Sequence, residues 1–136
     1  VLEQELKKSE TKYRAIFDNI PNPVLVMDQD SFEILDCNDS VHPVYGYTAA
    51  EVVGRSFLHF FLEEDRDYYA AKIRRTAVLN QVRHRSKNGK NIYVTIRSSA
   101  TEYPGGKVLL VTISDVTKRL EAEQQLIQAS KMATMG

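Results

Sequence analysis

The stretch Lys87-Asn88-Gly89-Lys90-Asn91-Ile92-Tyr93-Val94-Thr95-Ile96-Arg97 decides the fold class, because a turn signal runs straight into a clean period of two. Asn-Gly tolerates the positive φ of a tight hairpin turn; beyond it Ile92, Val94 and Ile96 share one face while Tyr93, Thr95 and Arg97 share the other. Residues from Gln81 to the turn form the strand before the hairpin, with the basic run Arg83-His84-Arg85-Ser86-Lys87 alternating along it and sending some of its charge to solvent. On the far side Pro104-Gly105-Gly106 makes a second turn. It precedes Val108-Leu109-Leu110-Val111-Thr112-Ile113, which is apolar on both faces and so expected at the centre of a sheet.

Upstream, Glu63-Glu64-Asp65 favours a helix start through the helix dipole, and Tyr69, Ile73 and the Thr76/Ala77 pair recur at helical spacing, so a helix is expected to about Leu79. Asn38 to Phe61 mixes Pro43, Gly46 and Gly54 with short apolar groups and suits brief helices, one opened by the capping box Thr48-Ala49-Ala50-Glu51. Val24-Leu25-Val26-Met27 and Phe32-Glu33-Ile34-Leu35-Asp36-Cys37, separated by a polar turn, read as two more strands. Near the N-terminus Leu2, Leu6, Ser9, Tyr13, Ile16 and Ile20 follow alternating steps of four and three until Pro21-Asn22-Pro23 stops the helix. Near the C-terminus Asp115 or Thr117 can cap a last helix carrying Leu120, Leu126, Ile127 and Met132, on which two overlapping seams fit. The expected fold class is α+β: a five-stranded antiparallel sheet with a helical insert, flanked by two amphipathic, coiled-coil-like helices. The expected division is an N-terminal helix over residues 1–20, a domain over 21–116 and a C-terminal linker helix over 117–136.

The chain has 136 residues, 43% of them apolar and 26% charged, which is enough for the core of one domain. Its 18 basic side chains balance 18 acidic ones, which removes the broad electrostatic case for nucleic acid or an anionic membrane. Cys37 is the single cysteine, so no intramolecular disulfide and no thiolate zinc cluster can form, and a reducing, cytoplasmic setting is expected. None of His42, His59 and His84 has a second histidine one helical turn away, and no metal site is expected. No phosphate-binding glycine loop, nucleophile elbow or paired-carboxylate arrangement stands out, so catalysis is not expected within this stretch. The longest apolar run falls far short of the roughly 18 to 20 residues that span a bilayer. The chain begins at Val1 and stops at Gly136 inside an apparent helix, and so reads as a segment of a longer protein.

The order of elements, together with several short motifs, resembles the PAS sensor domain from about Ser9 to Arg119. Asn38 followed by Gly46-Tyr47, Glu51 and Gly54 resembles the stretch after the second PAS strand, and Glu64-Asp65-Arg66 the start of the long PAS helix. Arg85-Ser86-Lys87-Asn88-Gly89 is similar to the family's hairpin, and Asp115-Val116-Thr117 with Arg119 matches the Asp-x-Thr element that closes many such domains. Separately, Ser130-Lys131-Met132-Ala133-Thr134-Met135-Gly136 resembles the opening of the dimerisation and phosphoacceptor helix of sensor histidine kinases. The two resemblances imply a PAS module directly upstream of a histidine-kinase core, within a two-component system that ends on a response regulator.

A PAS pocket lies between the inner sheet face and the short helices. On that resemblance Val26, Ile34, Ile73, Val94, Ile96 and Leu110 are candidate lining, and Asn38, His42, Tyr69 and Arg74 candidate polar contacts to a small-molecule ligand. The identity of any cofactor stays open. Tyr68-Tyr69 stands where haem-binding relatives carry a histidine, and Ser56 follows Gly54-Arg55 where flavin-thiol relatives carry a cysteine, so haem and covalent flavin are not supported. Asp115, Thr117 and Arg119 are the expected signal relay. Leu2, Leu6, Tyr13, Ile16, Ile20, Leu120 and Ile127 are the expected homodimer seam, the alternative being helices folded back over their own sheet. Two alternatives to the ligand sensor of a kinase stay open: a ligand-free dimerisation and relay module, and an output such as a cyclase or chemoreceptor.

Overall fold

The computed structural model describes residues 2–103 and 105–135, and of residues 103, 134 and 135 the backbone only. Helix α1 (Leu2–Asn19) leads into strands β1 (Val24–Asp28) and β2 (Ile34–Cys37). Short helices α2 (Val41–Tyr45) and α3 (Ala49–Val52) follow, then two 3-10 turns (Phe57–Phe60 and Glu63–Asp65) and helix α4 (Arg66–Arg75). Strands β3 (Val78–Arg85), β4 (Asn91–Tyr103) and β5 (Gly106–Asp115) complete the sheet before helix α5 (Thr117–Met135). All pairings are antiparallel in the order β2-β1-β5-β4-β3, so the strand that is apolar on both faces is indeed the central one.

One face of the sheet carries the core. Leu25 and Met27 of β1 sit opposite Val111 and Leu109 of β5, and Ile92, Val94 and Ile96 of β4 continue the layer. Tyr45, Val52, Phe57, Phe61 and Ile73 cover it from the helical insert. The capping box forms as the sequence requires: the Thr48 hydroxyl accepts from the Glu51 N–H while the Glu51 carboxylate accepts from the Thr48 N–H. The hairpin turn places Gly89 at φ +83°, a conformation that a side chain would strain.

Two boundaries and one register differ from the sequence reading. Helix α4 stops at Arg75 instead of near Leu79, because Thr76 is extended and Val78 and Leu79 already pair with Arg97 and Ile96 of β4. The second strand begins at Ile34 instead of Phe32, because the Asp28 carboxylate accepts the N–H groups of Asp30 and Ser31 and closes a turn that leaves Phe32 at φ +62°. Those two hydrogen bonds hold the Asp28 carboxyl below the ordinary carboxylate range. Within β3 the register shifts between Leu79 and Val82, with Gln81 at φ +54°, and this bulge changes which side chains of the strand face inward. Pro104 of the expected second turn, with Val1 and Gly136, lies outside the described residues; β4 and β5 pair up to Tyr103 and Gly106.

Helix α1 touches the domain near its C-terminal end. Phe17 is buried, Tyr13 stacks on it at 5.5 Å, and the Arg14 guanidinium donates to both carboxylate oxygens of Asp36 on β2 at 3.0 and 3.1 Å. Leu2, Leu6, Tyr13 and Ile16 are exposed and Ile20 is half-buried. On α5, Leu120 is half-buried, while Leu126, Ile127 and Met132 are exposed.

Candidate functional site

The interior between the inner sheet face and the insert is closed by side chains. Ile34, Ile73, Val94 and Ile96 meet there as expected, all buried, and Tyr69 packs at its edge with its ring 5.0 Å from that of Phe61. The other candidates lie elsewhere. Val26 and Leu110 face each other on the opposite side of the sheet, Leu110 being 43% exposed, because β1 turns Leu25 and Met27 inward and β5 turns Leu109 and Val111 inward. His42 is exposed on α2. Arg74 is exposed on α4, where its guanidinium donates to the Asp30 carbonyl at 2.8 Å and lies 4.5 Å over the Phe32 ring, pinning the helix to the β1–β2 turn.

Asn38 is fully buried, and its amide is engaged by the backbone. Its Oδ1 accepts from the Val24 N–H at 2.8 Å, and its Nδ2 donates to the carbonyls of Phe17, Ile20 and Asn22 at 3.0, 3.3 and 3.0 Å. These carbonyls stand at the end of α1 and in the Pro21–Pro23 loop, so Asn38 is the clasp that docks the incoming helix on the sheet. The Ser40 hydroxyl adds a second bond to the Ile20 carbonyl.

The interior also holds one group of the basic run on β3 that sequence reasoning did not place there. His84 is 0% exposed, its Nδ1 is 2.8 Å from the Tyr45 hydroxyl, and the rings of Phe57, Phe60 and Phe61 surround it. Burial alone drives its pKa down from 6.5 to about 3, so the imidazole is neutral near pH 7. Tyr45, also buried, is pushed well above the ordinary tyrosine range by burial first and by the charge of Asp115 second. Cys37 lies apart from this group; burial raises its thiol to about 11, so it stays protonated and donates weakly to the Ala49 carbonyl at 3.7 Å.

At the exit, Asp115, Val116 and Thr117 form a tight joint. The Asp115 carboxylate accepts from the Thr117 N–H at 3.0 Å and from its hydroxyl at 2.6 Å. The same Thr117 oxygen accepts from the Tyr93 N–H at 2.9 Å, and the Val116 N–H donates to the Tyr93 carbonyl at 2.8 Å. The end of central strand β5, the neighbouring strand β4 and the first turn of α5 are thereby locked in one hydrogen-bonded unit. Arg119 stands outside it: its guanidinium faces Glu123 of its own helix at 3.8 Å on the surface. Beside the joint runs an open groove of about 450 Å³ between α2 and the β3–β4 hairpin, lined by Tyr45, His42, Lys87, Lys90 and Asp115 among others. Lys87 crosses the rim to Glu51 at 2.8 Å, and that hydrogen bond, ahead of the one from the Thr48 N–H, holds the Glu51 carboxyl at about 2.

The family model described as PAS fold matches residues 11–116. Among curated proteins the chain is 23% identical over 147 residues to the signal transduction histidine-protein kinase AtoS of Escherichia coli, covering 99% of this chain and 23% of that one. It is 24% identical over 141 residues to the methyl sulfide methyltransferase-associated sensor of Methanosarcina acetivorans, covering 96% and 14% respectively. The chain thus spans under a quarter of the length of these relatives. Among solved structures, the PAS domain of an HTR-like protein from Haloarcula marismortui superposes with a TM-score of 0.71 at 22% identity, over 83% of this chain and 96% of that one.

Proposed function

The chain belongs to the PAS-fold family, and from that premise we propose that it is a sensory or signal-relay module of a two-component sensor histidine kinase, acting on a kinase core that follows it in the same chain. The observation that carries this reading is the joint at Asp115–Thr117, which ties the central strand of the sheet to the outgoing helix through side-chain and backbone hydrogen bonds. A change in sheet packing therefore alters the exit angle of α5 instead of dissipating in a slack linker. The name of the Escherichia coli relative and the resemblance of residues 130–136 to the start of a phosphoacceptor helix support a kinase output over a cyclase or chemoreceptor. In this reading the parent moves phosphate from ATP to a histidine of its cytoplasmic core and on to a response regulator, and the module only biases that reaction.

Transmission needs two arrangements of the outgoing helices close in free energy and a signal that interacts differently with them. A homodimer supplies the helix pair: the exposed stripes of Leu2, Leu6, Tyr13 and Ile16 on α1 and of Leu126 and Ile127 on α5 are what a second chain would cover. The filled interior favours, as a second reading, a module that relays motion without a ligand of its own. Asp115→Ala in the full-length protein tests the joint. We expect the fold to persist, as judged by its thermal transition, while signal-dependent autophosphorylation is lost; unchanged signal dependence overturns the reading.

A further inference from the structure

The sharpest unexplained feature of the molecule is the His84 imidazole. Among the described residues its Nε2 is the one buried side-chain nitrogen or oxygen without a hydrogen-bond partner. Buried polar atoms are nearly always paired, so an orphan calls for an occupant. The hydroxyl of Tyr45 settles which kind. If that hydroxyl donates to Nδ1, the proton of the neutral ring sits on Nε2 and a single donor is left unmade. If it accepts instead, both the tyrosine proton and the Nε2 lone pair lack partners among the described residues, which doubles the cost. The first arrangement prevails, and the buried Nε2–H is left without a partner in an imidazole that aromatic rings surround.

We propose that the enclosure formed by Phe57, Phe60 and Phe61 around His84 Nε2–H is a binding site for a small uncharged molecule with a hydrogen-bond acceptor oxygen, about the size of one aromatic ring. The apolar walls select the body of the ligand and the single donor selects the oxygen. The surrounding rings, centred 4.3 Å (Phe61), 5.7 Å (Phe57) and 6.0 Å (Phe60) from the imidazole, offer only weak π acceptors that a carbonyl oxygen outcompetes. An anion is disfavoured because the walls of the enclosure are apolar rings, among which an unpaired charge is costly to bury.

Room comes from Phe60. It is the most exposed of the three rings, at 5%, and its outer edge borders a shallow surface pocket of about 10 Å³ shared with Tyr47, Val52, Arg55 and Ser56. It sits in a single 3-10 turn whose hydrogen bonds are poorer than those of an α-helix, so the turn can yield; the ring contacts that its outward swing gives up, to Tyr45 at 4.3 Å and to Phe57 at 5.9 Å, are the ones a ligand has to replace. Tyr45 positions His84 from the other side and borders the groove that contains Asp115, so the hydrogen-bonded pair runs from the enclosure to the exit joint. The signalling consequence rests on the relay reading above; the binding itself does not.

The test uses the 136-residue chain with ¹⁵N-labelled histidine and two probes of one shape, acetophenone and ethylbenzene, which differ in the acceptor oxygen. Long-range ¹H–¹⁵N spectra near pH 7 should place the His84 proton on Nε2. Acetophenone should shift that Nε2 resonance saturably, bind Phe60→Ala more tightly than the wild type, and bind Phe60→Ala about tenfold more tightly than ethylbenzene does, the value of one hydrogen bond. Adding His84→Phe should abolish the difference between the probes. Phe60→Leu serves in the same way should the alanine variant not fold. A proton on Nδ1, equal affinity for the two probes, or no saturable shift overturns the proposal. Each of these outcomes leaves the Asp115 relay standing, because that is read from phosphorylation.

Discussion

Asn38 and His84 are both buried polar side chains, and they do opposite things. Asn38 uses its amide to bond one N–H and three carbonyls between α1 and the sheet. Asn38→Ala should therefore cost about 2 to 3 kcal/mol in urea unfolding, since the backbone groups stay buried while their partner disappears. Asn38→Asp should cost more, because a carboxylate would face three carbonyl oxygens; equal stability of the two variants would argue against this account. His84 makes stability depend on pH. The unfolded chain protonates it below about pH 6.5 whereas the folded chain holds it neutral down to about pH 3, so the unfolded state binds the extra proton and stability falls as pH drops through that window. Between pH 7 and pH 5 this amounts to about 2 kcal/mol. His84→Phe should flatten the difference in unfolding free energy between those two pH values by that amount; an unchanged pH slope would mean the ring is solvated.

At the scale of elements, the two ends of the domain are held in different ways. Helix α1 is clasped by Asn38, Phe17 and the Arg14–Asp36 pair at its last turns, leaving the preceding turns free of the sheet. Helix α5 is held by its first residue, through Thr117 and Tyr93. Thr117→Val keeps the side-chain shape but removes the acceptor for the Tyr93 N–H. We expect a loss of about 1 kcal/mol and faster hydrogen exchange at the Tyr93 amide, with the amides of β1 unaffected. Undiminished protection at Tyr93 would show that the joint does not depend on the hydroxyl. Thr117 was legible in the sequence as a helix cap, but its bond to Tyr93 was not, because that contact links positions 24 residues apart on the chain.

For the whole molecule, the unresolved free energy lies in the apolar stripes of the terminal helices. Leu2 and Leu6 on α1 are 71% and 57% exposed, and Leu126 on α5 is 71% exposed, apolar surface whose burial against a second chain is favourable. We expect sedimentation equilibrium to report a dimer, and Leu6→Glu with Ile16→Glu to shift it toward monomer without lowering the thermal transition of the domain, since neither side chain enters the core. A monomer at all concentrations would assign those stripes to another partner. The filled core sets the energetic scale of signalling: a ligand that opens the Phe60 side must replace contacts as good as those it displaces, so modest affinities and a shift between two nearby states are the natural outcome.

The fold was legible because its signals are local. Asn88-Gly89, the period of two from Ile92 to Ile96, the Thr48–Glu51 capping box and the prolines after α1 each act within a few residues, and each leaves one allowed local geometry. Which face of a strand turns inward was decided only in three dimensions. The runs Val24-Leu25-Val26-Met27 and Val108-Leu109-Leu110-Val111 are apolar throughout, so they carry no contrast of period two, and pairing with neighbours put Val26 and Leu110 outside. In β3 the bulge at Gln81 reversed the alternation: counted from Leu79, which packs on the core, His84 would face solvent, and the one extra residue in the register brings it in with Val82. Local backbone preferences along the chain thus set the elements and the order in which they occur. That a histidine inside a basic run lies among aromatic rings emerges only when distant strands pack, because burial is a property of that packing.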